Sequence, residues 1–233
     1  MSATTRLPIA TTSNPGWRQV LFSINAVVAW LGIIASIVLS AGGFYPGDVT
    51  VPSQLGYANP GAFSRLADSF SYFTIWSNIT VAIVLTVLAL RPTYDTPVFR
   101  VLRLDSVLMI TVTGLVYAVV LAPDAKLQGW EYLSNTLIHI ATPLITLAVW
   151  GIAGPRGWIR WSTVGYALIL PLVWVTYTLI RGAVISGYPY PFIDVIQHGY
   201  GTVFINVAAI TALGLLLCAA ALGIDRLLAR RTA

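Results

Sequence analysis

Two polar residues in this chain lie where a polar side chain is costly. His139 sits close to the middle of residues 130–150, WEYLSNTLIHIATPLITLAVW, and is one of only two histidines. Thr74 sits near the start of another apolar run, within SYFTIWSNIT. An ionisable group in hydrocarbon is a functional candidate by default. A hydroxyl beside an imidazole is the minimal nucleophile–base pair. Asn135, His139, Thr142 and Thr146 follow at steps of four, three and four, which places them on one helical face. Ser71, Thr74 and Asn78 share a face in the same way. Thr74 lies about five residues, and His139 about eight, below the same end of their helices. At about 1.5 Å per residue that is roughly one turn of difference in depth. Lipid cannot satisfy two such stripes, so they tend to face each other. An interhelical Thr–His hydrogen bond that only holds the bundle together is the competing reading. Pro143 has no N–H to give to the carbonyl of His139, and its ring pushes against it. The sequence therefore predicts a kink there and a free oxygen on His139.

Other residues could complete a site. Asn78 or Asn135 could donate to an oxyanion. Asp194, four residues before His198 in PFIDVIQHGYG, could orient His139 as a third member; a solvated loop aspartate is the alternative. Arg65 and Arg181 lie near outer helix ends and, with His198, could hold the headgroup of a substrate. Such arginines also snorkel to an interface without binding anything. His139, His198, Asp194 and Glu131 are possible metal ligands by type, but their spacing is not that of a zinc site. No metal and no cofactor is expected. There is no GxSxG elbow, P-loop or dinucleotide fingerprint.

The elements that must position these residues are membrane helices. Of 233 residues 57% are hydrophobic and 9% charged, and the mean hydropathy is +0.81. A soluble domain of this length does not have that composition. The apolar runs near 20 residues match a bilayer core of roughly 30 Å. The fold class is all-α, a single bundle of six transmembrane helices over residues 17–228. A polar, mobile segment 1–16 precedes it and a basic tail 229–233 follows. The helices are expected at about 17–41, 69–90, 103–122, 131–152, 159–181 and 200–222. The first run is too long for a signal-peptide core and is read as retained. Cys218 is the only cysteine, so no disulfide forms within the chain. Ten basic residues, Arg6, Arg18, Arg91, Arg100, Arg103, Arg156, Arg160, Arg226, Arg230 and Arg231, fall on one side. Only Arg65, Lys126 and Arg181 fall on the other. That split makes the first side, with both termini, cytoplasmic. The net charge of +5 sets topology rather than marking a nucleic-acid binder.

Three segments together resemble the androgen-induced (FAR-17a) family of six-helix membrane proteins and its bacterial relatives. They are an aromatic residue before Phe73-Thr74, Asn135-x3-His139 followed by a proline, and Tyr190-Pro191-Phe192 with an acidic residue in the last outer loop. The resemblance covers roughly residues 17–222 and implies the same helix count. It implies hydrolysis of fatty-acid esters of hydroxy fatty acids, with Thr74 as nucleophile and His139 as base. The expected protein is thus a multi-pass hydrolase of the cell membrane, acting on a lipid or fatty-acyl ester. A non-catalytic lipid or amphiphile binder, a small transporter and a structural membrane partner remain the alternatives.

Overall fold

The computed structural model describes residues 16–44, 55 and 61–232. The expected N-terminal segment 1–15, with Arg6, and the loop residues 45–54, with Asp48, lie outside the described residues. Six helical stretches are long and apolar enough to cross a membrane: Gly16–Gly42, Phe73–Leu90, Pro97–Asp124, Glu131–Ala153, Trp161–Ile185 and Val195–Arg230. Among the described residues there is no strand. The protein is an all-α, multi-pass membrane protein.

The helices are α1 (Gly16–Gly42), α2 (Ala62–Ser69), α3 (Phe73–Leu90), α4 (Pro97–Val116), α5 (Glu131–Thr136), α6 (Thr142–Ala153), α7 (Trp161–Ala167), α8 (Ile169–Ile185) and α9 (Val195–Thr232). One π-turn, Tyr117–Leu121, extends α4, and another, Leu137–Ala141, joins α5 to α6. The packed centre is α3. Phe22, Ala26, Ala29 and Ile33 of α1 meet Val81, Ala82, Val84, Leu85 and Leu88 of α3. Ala29 and Ala82 have no exposed surface; small side chains let two membrane helices approach this closely. The most apolar window of α3 is 56% buried, whereas those of the last two spans are 17% buried. The last two spans therefore present mostly lipid-facing surface, and α3 is the element whose position the bundle fixes best.

Three helix boundaries differ from the sequence expectation. The second span does not start at residue 69. Instead α2 stops at Ser69 and α3 starts at Phe73. The break is held from α8: Trp174 Nε1 and Thr178 Oγ1 donate to the Ser71 carbonyl at 3.0 and 3.4 Å. Thr74 consequently lies in the first turn of α3. The third span starts at Pro97, six residues early. Thr96 caps it by accepting from Phe99 N–H at 3.2 Å, and Pro97 fills the position where its missing N–H costs nothing. Arg103, expected at a helix start, is 5% exposed and lies 4.0 Å from the centre of the Trp158 ring. The last helix starts at Val195, breaks at Gly199, whose φ of 71° favours glycine, and runs to Thr232.

The charge split gives a test of orientation. A reporter fused after Ala233 is expected to be active only in the cytoplasm. Periplasmic activity would reverse the assignment.

Candidate functional site

Thr74 and His139 meet. Thr74 Oγ1 lies 3.1 Å from His139 Nε2, and Thr74 is only 5% exposed. The other ring nitrogen, Nδ1, lies 2.9 Å from Asn135 Oδ1. Asn135 Nδ2 donates to the Tyr117 hydroxyl, which turns the amide oxygen toward the imidazole. These partners assign the tautomer: Nδ1 carries the proton, and Nε2 is free to accept from Thr74. Asn135 and His139 are four apart, so the helix itself supplies that orientation.

Two tyrosines that sequence reasoning gave no role complete the network. The Tyr117 ring stacks on the imidazole at 4.4 Å with 15° between the planes. The Tyr190 hydroxyl lies 3.2 Å from Thr74 Oγ1 and accepts from Thr74 N–H at 3.3 Å. Burial pushes the Tyr190 phenol up from its ordinary pKa, so it keeps its proton through neutral pH. It can then donate to Thr74 Oγ1 while Thr74 donates to His139. Tyr190 belongs to a Tyr-Pro-Phe run that stood out in the sequence. Tyr117 had no signal beyond being a tyrosine inside an apolar stretch, where an interfacial belt is the ordinary reading.

Tyr117 and His139 both sit on π-turns. The second of these changes the spacing at the proline. In the π register Thr142 N–H bonds the carbonyl five residues back, on Leu137. The same step from Pro143 leads to Ile138, whose carbonyl receives no N–H from the proline either. Asn78 Nδ2 donates to the Ile138 carbonyl at 3.1 Å and to the Thr74 carbonyl at 2.8 Å. Asn78 thus ties α3 to the π-turn directly behind the pair. The π-turn also divides the polar stripe. His139 faces Thr74 of α3, whereas Thr146 exchanges hydrogen bonds with Asn25 of α1 at 3.1 and 3.2 Å. Gly114 of α4 packs closely here: a Cβ there would lie 3.1 Å from Pro143 Cβ, a tight contact.

A Pro143→Ala variant tests the π-turn. The new N–H can close an ordinary bond to His139, and each α-helical residue turns about 100°. Returning the turn to an α register rotates His139 away from Thr74 by about that amount. Stability is expected to hold or rise, since an interior proline costs about 3 kcal/mol relative to alanine. Any activity of the pair is expected to fall by about a hundredfold, the effect of misplacement by about 1 Å. Thermal unfolding and turnover measured on the same samples check both.

The remaining candidates stand elsewhere. Asp194 is fully buried, but it does not orient the imidazole; Asn135 does. Its Oδ1 accepts from Ile196 and Gln197 N–H at 2.9 and 3.2 Å, capping the short turn before Gly199. Arg65 and Arg181 are not open headgroup clamps. Arg65 Nε and Nη2 donate to the Ser40 and Ala41 carbonyls at 2.9 and 2.7 Å, closing the C-terminus of α1. Arg181 donates to Asp68 Oδ1 at 2.7 Å and to Ser71 Oγ at 2.8 Å. Asn78 has both amide hydrogens engaged, so it is not poised as an oxyanion donor. His198 is exposed and lines a separate cleft. Among the described residues no three His, Cys, Asp or Glu side chains converge as metal ligands would. No protein-family model, no curated protein and no solved structure matches the chain.

Proposed function

We propose that this membrane protein hydrolyses a lipidic ester, with Thr74 as nucleophile and His139 as general base. The observation that carries the reading is the 3.1 Å contact between Thr74 Oγ1 and an Nε2 left free to accept. Thr74 Oγ1 would attack the ester carbonyl carbon while its proton passes to Nε2. The imidazolium would return that proton to the departing alkoxide, leaving an acyl-threonine. Water, deprotonated by His139, would then release the acid and restore the threonine. Asn135 supports the imidazolium by holding Nδ1–H. Tyr190 O–H, next to Thr74 Oγ1, is the donor best placed to turn toward the carbonyl oxygen as it becomes negative. The resemblance to the FAR-17a family supports the same two roles and a fatty-acyl substrate.

A second reading has its own support. The Thr74 hydroxyl is buried and already has two partners, which is what an interhelical lock needs. The lock belongs to a non-catalytic binder of lipids or amphiphiles. A fluorophosphonate probe separates the two. On the hydrolase reading it labels Thr74, and labelling disappears in His139→Ala while the protein remains folded. Absence of labelling at Thr74, with the probe active on a control hydrolase, supports the lock.

A further inference from the structure

The cleft that His198 lines lies outside the pair. It is a cleft of about 400 Å³ at the end of the bundle where Thr74 sits, between the π-turn after α4 and the first turns of α9. Its walls include Leu121, Asp124, Phe192, His198, Thr202 and Asn206. That volume is in the range of small-molecule sites, and mixed apolar and polar walls are typical of them. Two stacked aromatic rings, Phe192 and Tyr190, lie between it and the nucleophile. The Phe192 ring stacks on Tyr190 at 5.1 Å with 7° between the planes, and the Tyr190 hydroxyl touches Thr74. Asn206 Nδ2 donates to the Phe192 carbonyl at 2.8 Å, which fixes the backbone under that ring.

We propose that this cleft receives the polar head of the substrate, that the head is uncharged or cationic, and that Phe192 divides the cleft from Thr74. The proposal rests on the ester-hydrolase reading for the bond that is broken, and departs from the free carboxylate that an ester of a hydroxy fatty acid carries. The charge preference comes from the walls. Asp124 is the only formally charged lining residue beside the titratable His198, and a carboxylate on a wall disfavours an anionic head. Of the three outer basic residues, Arg65 and Arg181 are committed to the end of α1, Asp68 and Ser71, and Lys126 is not among the residues that line the cleft. Asn206, Thr202 and His198 offer hydrogen bonds to hydroxyl or amide groups. Leu121 and Phe192 accept the first methylene groups of a chain.

The chain's two histidines make this testable without turnover. His198 lines the cleft, and His139 lies beyond Phe192 and Tyr190, at Thr74. Diethyl pyrocarbonate acylates accessible imidazoles, and each site can be counted by mass spectrometry on the full-length protein in detergent micelles. In the wild type His198 is expected to react fast and His139 slowly. Phe192→Ala is expected to speed His139 about tenfold, because access to a buried group follows the cost of opening to it. Thr202→Trp, at an exposed position that a folded helix tolerates, is expected to slow both histidines by filling the cleft. Monooctanoylglycerol is expected to protect His198, and mono-octyl succinate to protect it only in Asp124→Asn. An unchanged His139 rate in folded Phe192→Ala overturns the divider. Equal protection by both octyl compounds in the wild type overturns the charge preference. Labelling that moves as expected with no ester turned over leaves the cleft standing and removes the hydrolase reading. Turnover with labelling insensitive to both substitutions does the reverse.

Discussion

Replacing His139 by alanine is expected to lower ester turnover by a factor of about 10² to 10⁴, the range a positioned general base supplies. Thr74→Ala is expected to do the same, and the double variant to lose no more than the worse single one. Two groups that act in one proton transfer do not contribute independently. Thr74→Ser keeps the hydroxyl on the same first turn of α3 and is expected to retain measurable turnover. The fold is expected to survive each change. In His139→Ala the Thr74 hydroxyl still has Tyr190, and only Asn135 Oδ1 is left to find a partner, a cost of about 1–3 kcal/mol. Initial rates on a fatty-acyl ester in liposomes, with thermal unfolding of the same preparations, separate chemistry from stability. Full turnover by His139→Ala would make the contact a lock between helices and end the hydrolase reading.

The second large effect concerns Arg181 and Asp68. Their 2.7 Å pair has side chains only 17% and 13% exposed. The guanidinium also reaches Ser71, where the chain crosses from α2 to α3. Arg181→Ala takes the guanidinium away from a largely buried carboxylate. Breaking a buried pair in this way costs about 3–5 kcal/mol, and the partial exposure points to the lower part of that range. Asp68→Leu with Arg181→Leu removes both charges and is expected to recover most of the loss, since an apolar replacement of a whole pair is often neutral. Arg181→Lys keeps the charge but offers one nitrogen where two separate ones are used, so it is expected to recover only part. Because Ser71 lies three residues before Thr74, Arg181→Ala is also expected to reduce turnover. Unfolding midpoints for the four proteins decide the matter. A single variant as stable as the wild type would mean that the pair contributes nothing.

The spans were legible because hydrocarbon imposes one simple requirement, about 20 apolar residues, on every crossing. The Thr74–His139 contact was legible for a related reason. Polar groups at equal depth have few partners, so similar residue offsets from one end were enough to pair them. Where the sequence misled, competing local interactions decided. Arg100 read as a loop charge and Arg103 as a helix start, yet the Thr96-Pro97 cap starts α4 before both. Arg103 is accommodated against Trp158, and Arg100 forms a bidentate pair with Asp95 at 2.8 and 2.6 Å. Pro143 was correctly read as a break. The π spacing was not foreseen, because a proline constrains the turn before it without specifying α or π spacing. Tyr117 and Tyr190 were invisible as site residues for a plainer reason. Each reaches the pair from another part of the fold, and no spacing along one helix encodes that.

The paired π-turns have a consequence for how this gene can change. Each π-turn is one residue more than an α-helix needs, a single codon inserted into a regular repeat. Loss of one codon from residues 137–141 would restore regular α-helix, and the span would still be long enough to cross the bilayer. The same holds for residues 117–121. Such deletions would here keep a regular membrane span. The imidazole and the phenol stacked on it would part, each turned by about 100° relative to the rest of its helix. On the hydrolase reading, two such deletions would connect a working site to an inert scaffold.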